Sequence, residues 1–161
     1  MDWRSAYLTQ AKSDYAMLLK LNREEAPLCH RLHYLQMATE KLAKGFLTPR
    51  GGTRYPKTHD AFTDFVRIAD RRPDLRAASH FTKKSQFAAY VASFLGTAQK
   101  VENLSPDGGD HPNPEYPWEE KGAIVVPTEY PFADLDLRSR KMVKLLQFID
   151  DCFTVAQGQL E

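Results

Sequence analysis

The stretch Leu28-Cys29-His30-Arg31-Leu32-His33-Tyr34-Leu35-Gln36-Met37-Ala38-Thr39-Glu40-Lys41-Leu42-Ala43-Lys44-Gly45-Phe46 sets leucine or phenylalanine at positions 28, 32, 35, 42 and 46. Steps of three, four and seven return to one side of an α-helix, so this is an amphipathic helix of about six turns. Pro27 suits its start, where a missing N–H removes no hydrogen bond. Thr48-Pro49-Arg50-Gly51-Gly52-Thr53 is rich in helix breakers and closes it. A helix this long with one apolar stripe needs other helices to cover that stripe, and it is the expected spine of the fold.

Working outward, 2–21 carries Trp3, Tyr7, Leu8, Ala11, Tyr15, Leu18 and Leu19 at helical steps, which predicts a first helix. Thr58 can cap a third helix from His59 to about Arg71, with Asp60 in its first turn and Phe62, Phe65, Val66 and Ala69 as its apolar face. Arg71-Arg72-Pro73-Asp74 is read as its end. A fourth helix is expected from about Thr82 to Asn103, through Phe87, Tyr90, Val91, Phe94, Leu95, Ala98 and Val101, with Gly96 inside the pattern. A fifth runs from about Leu137 to Gln157 through Met142, Leu145, Leu146, Ile149, Phe153 and Ala156.

Between the fourth and fifth helices the character changes. Residues 105–132 hold six of the ten prolines, with Gly108, Gly109 and Gly122, so no helix persists there. Ala123-Ile124-Val125-Val126 reads as an extended segment that needs a partner, and Tyr116, Trp118, Tyr130 and Phe132 are expected to pack on the helices rather than to stack a base. The expected fold is therefore all-α, an up-down bundle of about five helices in a single domain over residues 1–161, with a Pro/Gly-rich insertion at about 105–132 before the last helix.

Composition narrows the classes of function. The apolar fraction of 42% and charged fraction of 27% suit a globular chain. With 22 Lys and Arg against 21 Asp and Glu, the chain is neither a basic nucleic-acid coat nor a polybasic membrane anchor. Cationic residues nevertheless concentrate between Arg50 and Lys84, so any anion-binding role is expected in that third. No run approaches the roughly 18 apolar residues of a membrane span and no signal-like start is present, which predicts no membrane association and, by elimination, a cytoplasmic protein. Cys29 and Cys152 are too few and too far apart for a disulfide framework or a metal knuckle, and are read as buried free thiols.

The second helix also resembles that of HEPN domains, helical bundles named for nucleotide binding in prokaryotes and higher eukaryotes. Gln36, Ala38, Glu40, Lys41 and Lys44 match, in order, their run of small and amide residues followed by Glu-Lys-hydrophobic-x-Lys. Thr58-His59-Asp60 resembles the Thr-His-Asp that opens their third helix, and Ala11, Asp14 and Tyr15 an Ala-x-x-Asp-Tyr of their first. Glu115-Tyr116-Pro117 and Glu129-Tyr130-Pro131 are similar to the family's Arg-Tyr-Pro, with Glu in place of Arg. The resemblance implies a homodimer that associates with a nucleotide, with RNA, or with a nucleotidyltransferase as toxin or antitoxin partner. No cofactor and no metal is called for. Lys41 and Lys44 would be the basic wall of a phosphate-binding groove, joined by Arg54 and His59.

The alternative the resemblance carries is a metal-independent endoribonuclease, whose Arg-x(4-6)-His is met by Arg54 and His59. Cleavage by the 2′-hydroxyl needs a base, an acid and positive charge on the phosphate. His59 in a helix's first turn would stay neutral beside the dipole's positive end, and Arg54 could grip phosphate bidentately. Tyr55-Pro56 follows Arg54, however, and a residue before proline is extended, which puts the arginine on a loop and favours binding over catalysis. A second alternative leaves the family: His30 and His33 share a helical face and, with Asp14 or Glu40, could bind metal in a helical-bundle interaction protein. Two further positive groups, Arg71-Arg72 through Arg76 to His80, Lys83 and Lys84, and Arg138, Arg140, Lys141 and Lys144 ahead of the last helix, are candidate anion contacts.

Overall fold

Asp2 starts the first helix by accepting a hydrogen bond from the Ser5 amide at 2.9 Å, one of the donors a helix N-terminus leaves unpaired. In the computed structural model, which describes residues 1–56, 58–104 and 112–160, this helix, α1, spans Trp3–Arg23. After the turn at Glu24 and Glu25, α2 spans Leu28–Leu47 and ends at Thr48, whose hydroxyl donates back to the Lys44 carbonyl. Leu8 near the start of α1 meets Gly45 near the end of α2, and Asp14 meets Lys41, so the two helices run antiparallel. Leu32, Leu35, Ala38, Leu42 and Ala43 are fully buried, and α2 is the spine its stripe implied.

The third helix, α3, spans Ala61–Ala69 and not His59 to Arg71. The Thr58 hydroxyl oxygen accepts from the Asp60 amide at 3.1 Å, which makes a turn ahead of the helix, and His59 lies before the first turn. The cap comes from elsewhere: the buried carboxylate of Glu102 accepts from the amides of Phe62 at 2.7 Å and Thr63 at 3.2 Å. Arg71-Arg72-Pro73-Asp74 ends one helix and begins another, α4, over Pro73–Ala78 with proline at its first position.

The expected single helix from Thr82 to Asn103 is two, α5 over Lys84–Ala92 and α6 over Leu95–Glu102. The break at Ser93-Phe94 drives the Phe94 ring fully into the core, 5.2 Å from the rings of both Tyr90 and Phe148.

The extended segment finds its partner within the loop. Trp118–Glu120 (β1) and Ala123–Val125 (β2) pair antiparallel, Trp118 opposite Val125, around Lys121 and Gly122, both of positive φ as a tight hairpin turn requires. Trp118 and Phe132 are buried as expected, whereas Tyr116 is exposed. Residues 105–111 of the insertion lie outside the described residues. The last helix, α7, spans Arg140–Leu160, three residues later than the pattern suggested, because Ser139 accepts from the Met142 amide at 3.3 Å. Its Met142, Leu145, Phe148, Ile149 and Cys152 join α2, α3 and α6 in one hydrophobic core, where Phe65 lies between Phe46 and Phe148. The fold is all-α, with seven α-helices among the described residues rather than about five, and the proline-rich insertion precedes the last. Among the described residues no helix is long and apolar enough to cross a membrane.

Candidate nucleic-acid interface

Gln36, Glu40 and Lys44 succeed one another at four-residue steps on α2, and Lys41 sits beside them. Gln36 donates to Glu40 Oε2 at 3.3 Å, and Lys44 pairs with the other oxygen, Oε1. Lys41 Nζ reaches across to Asp14 Oδ2 on α1 at 2.8 Å, and Gln10 donates to Asp14 Oδ1 at 3.0 Å. Asp14, Gln36 and Lys44 are all buried. Gln36, Glu40, Lys41 and Lys44 thus form a polar seam along α2, tied to α1 by Lys41 and Asp14, in which each lysine faces a carboxylate. The His59 imidazole approaches the open side of this seam, its Nδ1 3.9 Å from Glu40 Oε2, with nearly half of the ring exposed.

Arg54 goes to a different neighbour. Its guanidinium carbon stands 5.3 Å over the centre of the Trp3 indole, a cation–π arrangement, and the indole in turn leans on Tyr7 at 6.0 Å. The segment after α2 is drawn to this place by Asp2, whose second carboxylate oxygen accepts from the Gly51 amide at 3.1 Å. These amide donors, Ser5 and Gly51, pull the Asp2 carboxyl down to about 2.

The same end of the bundle gathers further arginines. Arg72 holds Asp74 in a two-pronged contact, Nε to Oδ1 at 3.1 Å, while its guanidinium carbon sits 4.8 Å over the Phe46 ring. The Arg4 guanidinium is pulled below its ordinary value, first by burial and then by the like charges of Arg72 and Arg50, with Asp2 and Asp74 opposing. Arg54 therefore stands over a tryptophan that keeps 45% of its surface open to solvent, while Arg4, the next residue of α1, feels the like charges of Arg50 and Arg72. Guanidinium groups can crowd in this way because they are weakly hydrated and lie flat on rings, and their forks match phosphate oxygens.

The structure separates Arg54 from His59 by partner: one lies on Trp3, the other faces Glu40. His30 is exposed, and His33 turns its Nδ1 to Glu115 at 3.3 Å. Among the described residues no group of three or more His, Cys, Asp or Glu side chains is placed to hold a metal ion. Of the second basic group, Arg72 belongs to the arginine cluster and Arg71 is exposed. Of the third, Arg140 and Lys141 are exposed, and Lys144 donates to Ser93 at 3.2 Å, bracing the break between α5 and α6. Sequence reading missed Trp3, Arg4 and Arg50 as one site. A signal existed, since two antiparallel helices joined by a short turn bring the first residues of α1 beside the last of α2. Comparison with family models, with curated proteins and with solved structures finds no match to this chain.

Proposed function

We propose that this chain is a HEPN-like helical module, homodimeric, which associates with a nucleotide or RNA, alone or alongside a nucleotidyltransferase partner, and performs no chemistry of its own. The observation that carries the reading is the open indole of Trp3 with Arg54 stacked over it, beside an Arg4 that feels the like charges of Arg50 and Arg72. Guanidinium groups supply phosphate contacts and the indole supplies a stacking face, the two terms that single-stranded nucleic acid uses. Lys41 serves this site by tying α2 to α1 through Asp14 and Lys44 by pairing with Glu40 along α2, rather than by touching phosphate, since both already face carboxylates.

The test is fluorescence anisotropy of a labelled single-stranded RNA over a range of salt. Binding is expected at low ionic strength, with log K falling linearly against log salt and the slope shallower by about one for each phosphate-contacting arginine removed, as in Arg50→Ala and Arg54→Ala. Trp3→Ala weakens binding by about 1–3 kcal/mol if a base stacks there. RNA that fails to bind at low salt, or binding indifferent to all three substitutions, overturns the reading, and a monomer by light scattering overturns its dimeric part.

One observation favours the endoribonuclease alternative, the half-exposed His59 backed by the Glu40 carboxylate. Purified protein incubated with RNA in EDTA decides it: fragments ending in 2′,3′-cyclic phosphate that vanish in His59→Ala establish cleavage, and intact RNA removes it.

A further inference from the structure

A cavity of about 400 Å³ opens between the end of α6 and the segment that precedes α7. That volume lies within the range of small-molecule sites, about 300–1,000 Å³. Its floor is apolar, from the buried side chains of Leu104, Phe132 and Leu135. One wall is aromatic and braced from behind: Tyr130 and Phe132 meet edge to face at 4.9 Å, and Trp118 stands behind them, 4.9 Å from Tyr130 and 6.3 Å from Phe132.

Two features mark this wall as built rather than incidental. Phe132 holds a left-handed backbone, φ 42° and ψ 45°, which bulky residues avoid, and yet it is buried. Such strain persists only where the surroundings over-determine it, and it concentrates at ligand clamps. The Trp118 strand pairs with Ala123–Val125, so the hairpin fixes the indole that backs the wall.

The rim sets the chemistry. Lys100 and Asp134 form an ion pair at 2.7 Å, so their charges largely cancel for a third group. Asn103 adds an amide, which both donates and accepts. An ion gains little from such a rim, and a purely hydrocarbon ring would leave its polar atoms unused. We propose that this cavity is a binding site for an uncharged, planar heteroaromatic ring with hydrogen-bonding atoms on its edge, lying against Tyr130 and Phe132 with that edge at Asn103. It is independent of the arginine cluster, whose residues lie on α1, on the segment after α2 and at the start of α4.

Trp3 and Trp118 are the two tryptophans of the chain, so Trp3→Phe leaves Trp118 as the sole indole reporter and removes the other proposed site from the measurement. Adenosine, titrated into this variant, is expected to change Trp118 emission saturably, whereas benzoate, an aromatic anion, is not. Ala133→Phe, which places a ring at the cavity mouth, should weaken adenosine at least about tenfold. If Ala133→Phe loses helical circular dichroism, Asn103→Ala replaces it, with a weakening of about threefold or more expected. No saturable change with adenosine, a midpoint unchanged in the blocking variant that folds, or benzoate matching adenosine would each overturn the proposal.

Discussion

Gly45 sits inside α2, where alanine would ordinarily be the better residue by about 1 kcal/mol. A Cβ built there would fall 2.5 Å from Leu8 Cδ2, 2.7 Å from Leu8 Cγ and 3.4 Å from the Leu8 backbone nitrogen. Carbon atoms in contact prefer about 3.5–4.0 Å, so Leu8 must retreat by about 1 Å, and Leu8 is itself buried to 2% exposure. Because the clash reaches Cγ and approaches the main chain, a rotamer change alone does not relieve it, and α1 must move. Overpacking of this kind costs about 1–3 kcal/mol, and the upper part of that range applies here. Set against the propensity gain, Gly45→Ala is expected to lose about 1–2 kcal/mol, or about 2–8 °C in Tm for a chain of this size. A double-mutant cycle isolates the cause. Leu8→Ala alone should cost about 2–5 kcal/mol, but in that background Gly45→Ala meets no side chain and should be neutral or stabilising, a coupling of about 2 kcal/mol. Urea unfolding followed by circular dichroism reads all four proteins. A Gly45→Ala protein as stable as wild type, or the same penalty in the Leu8→Ala background, would refute the close approach of α1 to α2.

Three further expectations test the polar interior. Burial is the largest influence on Glu102 and raises its carboxyl above the usual range despite the Thr63 and Phe62 donors. The folded state then holds that proton more tightly than the unfolded chain, so this contribution is present below about pH 4.5 and disappears as pH rises through the raised value. The wild-type minus Glu102→Gln difference in unfolding free energy should therefore fall as pH rises above 4.5, and a flat or rising difference contradicts it. Lys41→Met leaves the buried Asp14 carboxylate with Gln10 alone and should cost about 2 kcal/mol in urea unfolding, more than half of it recovered when Asp14→Leu is added; an additive pair of losses would show that the ion pair does not couple the helices. Cys29 and Cys152 are almost wholly buried, and burial pushes the Cys152 thiol well above its ordinary value, so neither should react with a disulfide reagent before unfolding and both should react after; prompt labelling of the native protein would contradict that packing.

The helical class and the spine were legible because the stripe through Leu32, Leu35 and Leu42 can be satisfied only by burial on one side. What escaped was local geometry set by distant residues. Periodicity carries Tyr90, Phe94, Ala98 and Val101 along one uninterrupted face, yet Phe94 belongs to a separate turn, because the ring it meets, Phe148, lies on α7, beyond any local window. Thr58 looks like a cap by residue type, and the capping is done by Glu102 across the fold. Arg72-Pro73 reads as a stop, and a proline at a first helical position is equally a start. At the candidate site, Arg54 and His59 were legible as residues and not as neighbours, since their partners, Trp3 on α1 and Glu40 on α2, lie far away in sequence.

The near balance of charge over the whole chain conceals a division of labour between its two kinds of cation. Along α2 the lysines are point charges at the ends of flexible stems, and Lys41 and Lys44 each settle on one carboxylate, closing the seam with Asp14 and Glu40. At the end of the bundle the arginines do what ammonium groups do poorly: Arg54 and Arg72 lie over the Trp3 and Phe46 rings, and Arg72 at the same time holds Asp74 with its N–H edge. Asp2 and Asp74 offset part of the repulsion among Arg4, Arg50 and Arg72, and the Phe46 ring beneath Arg72 adds a cation–π contact, so positive charge accumulates locally without raising the total. Net charge is blind to that arrangement, since it counts a lysine neutralised inside a seam and an arginine held over an open indole alike. A nucleic acid would distinguish them, because it meets only the second kind at the surface.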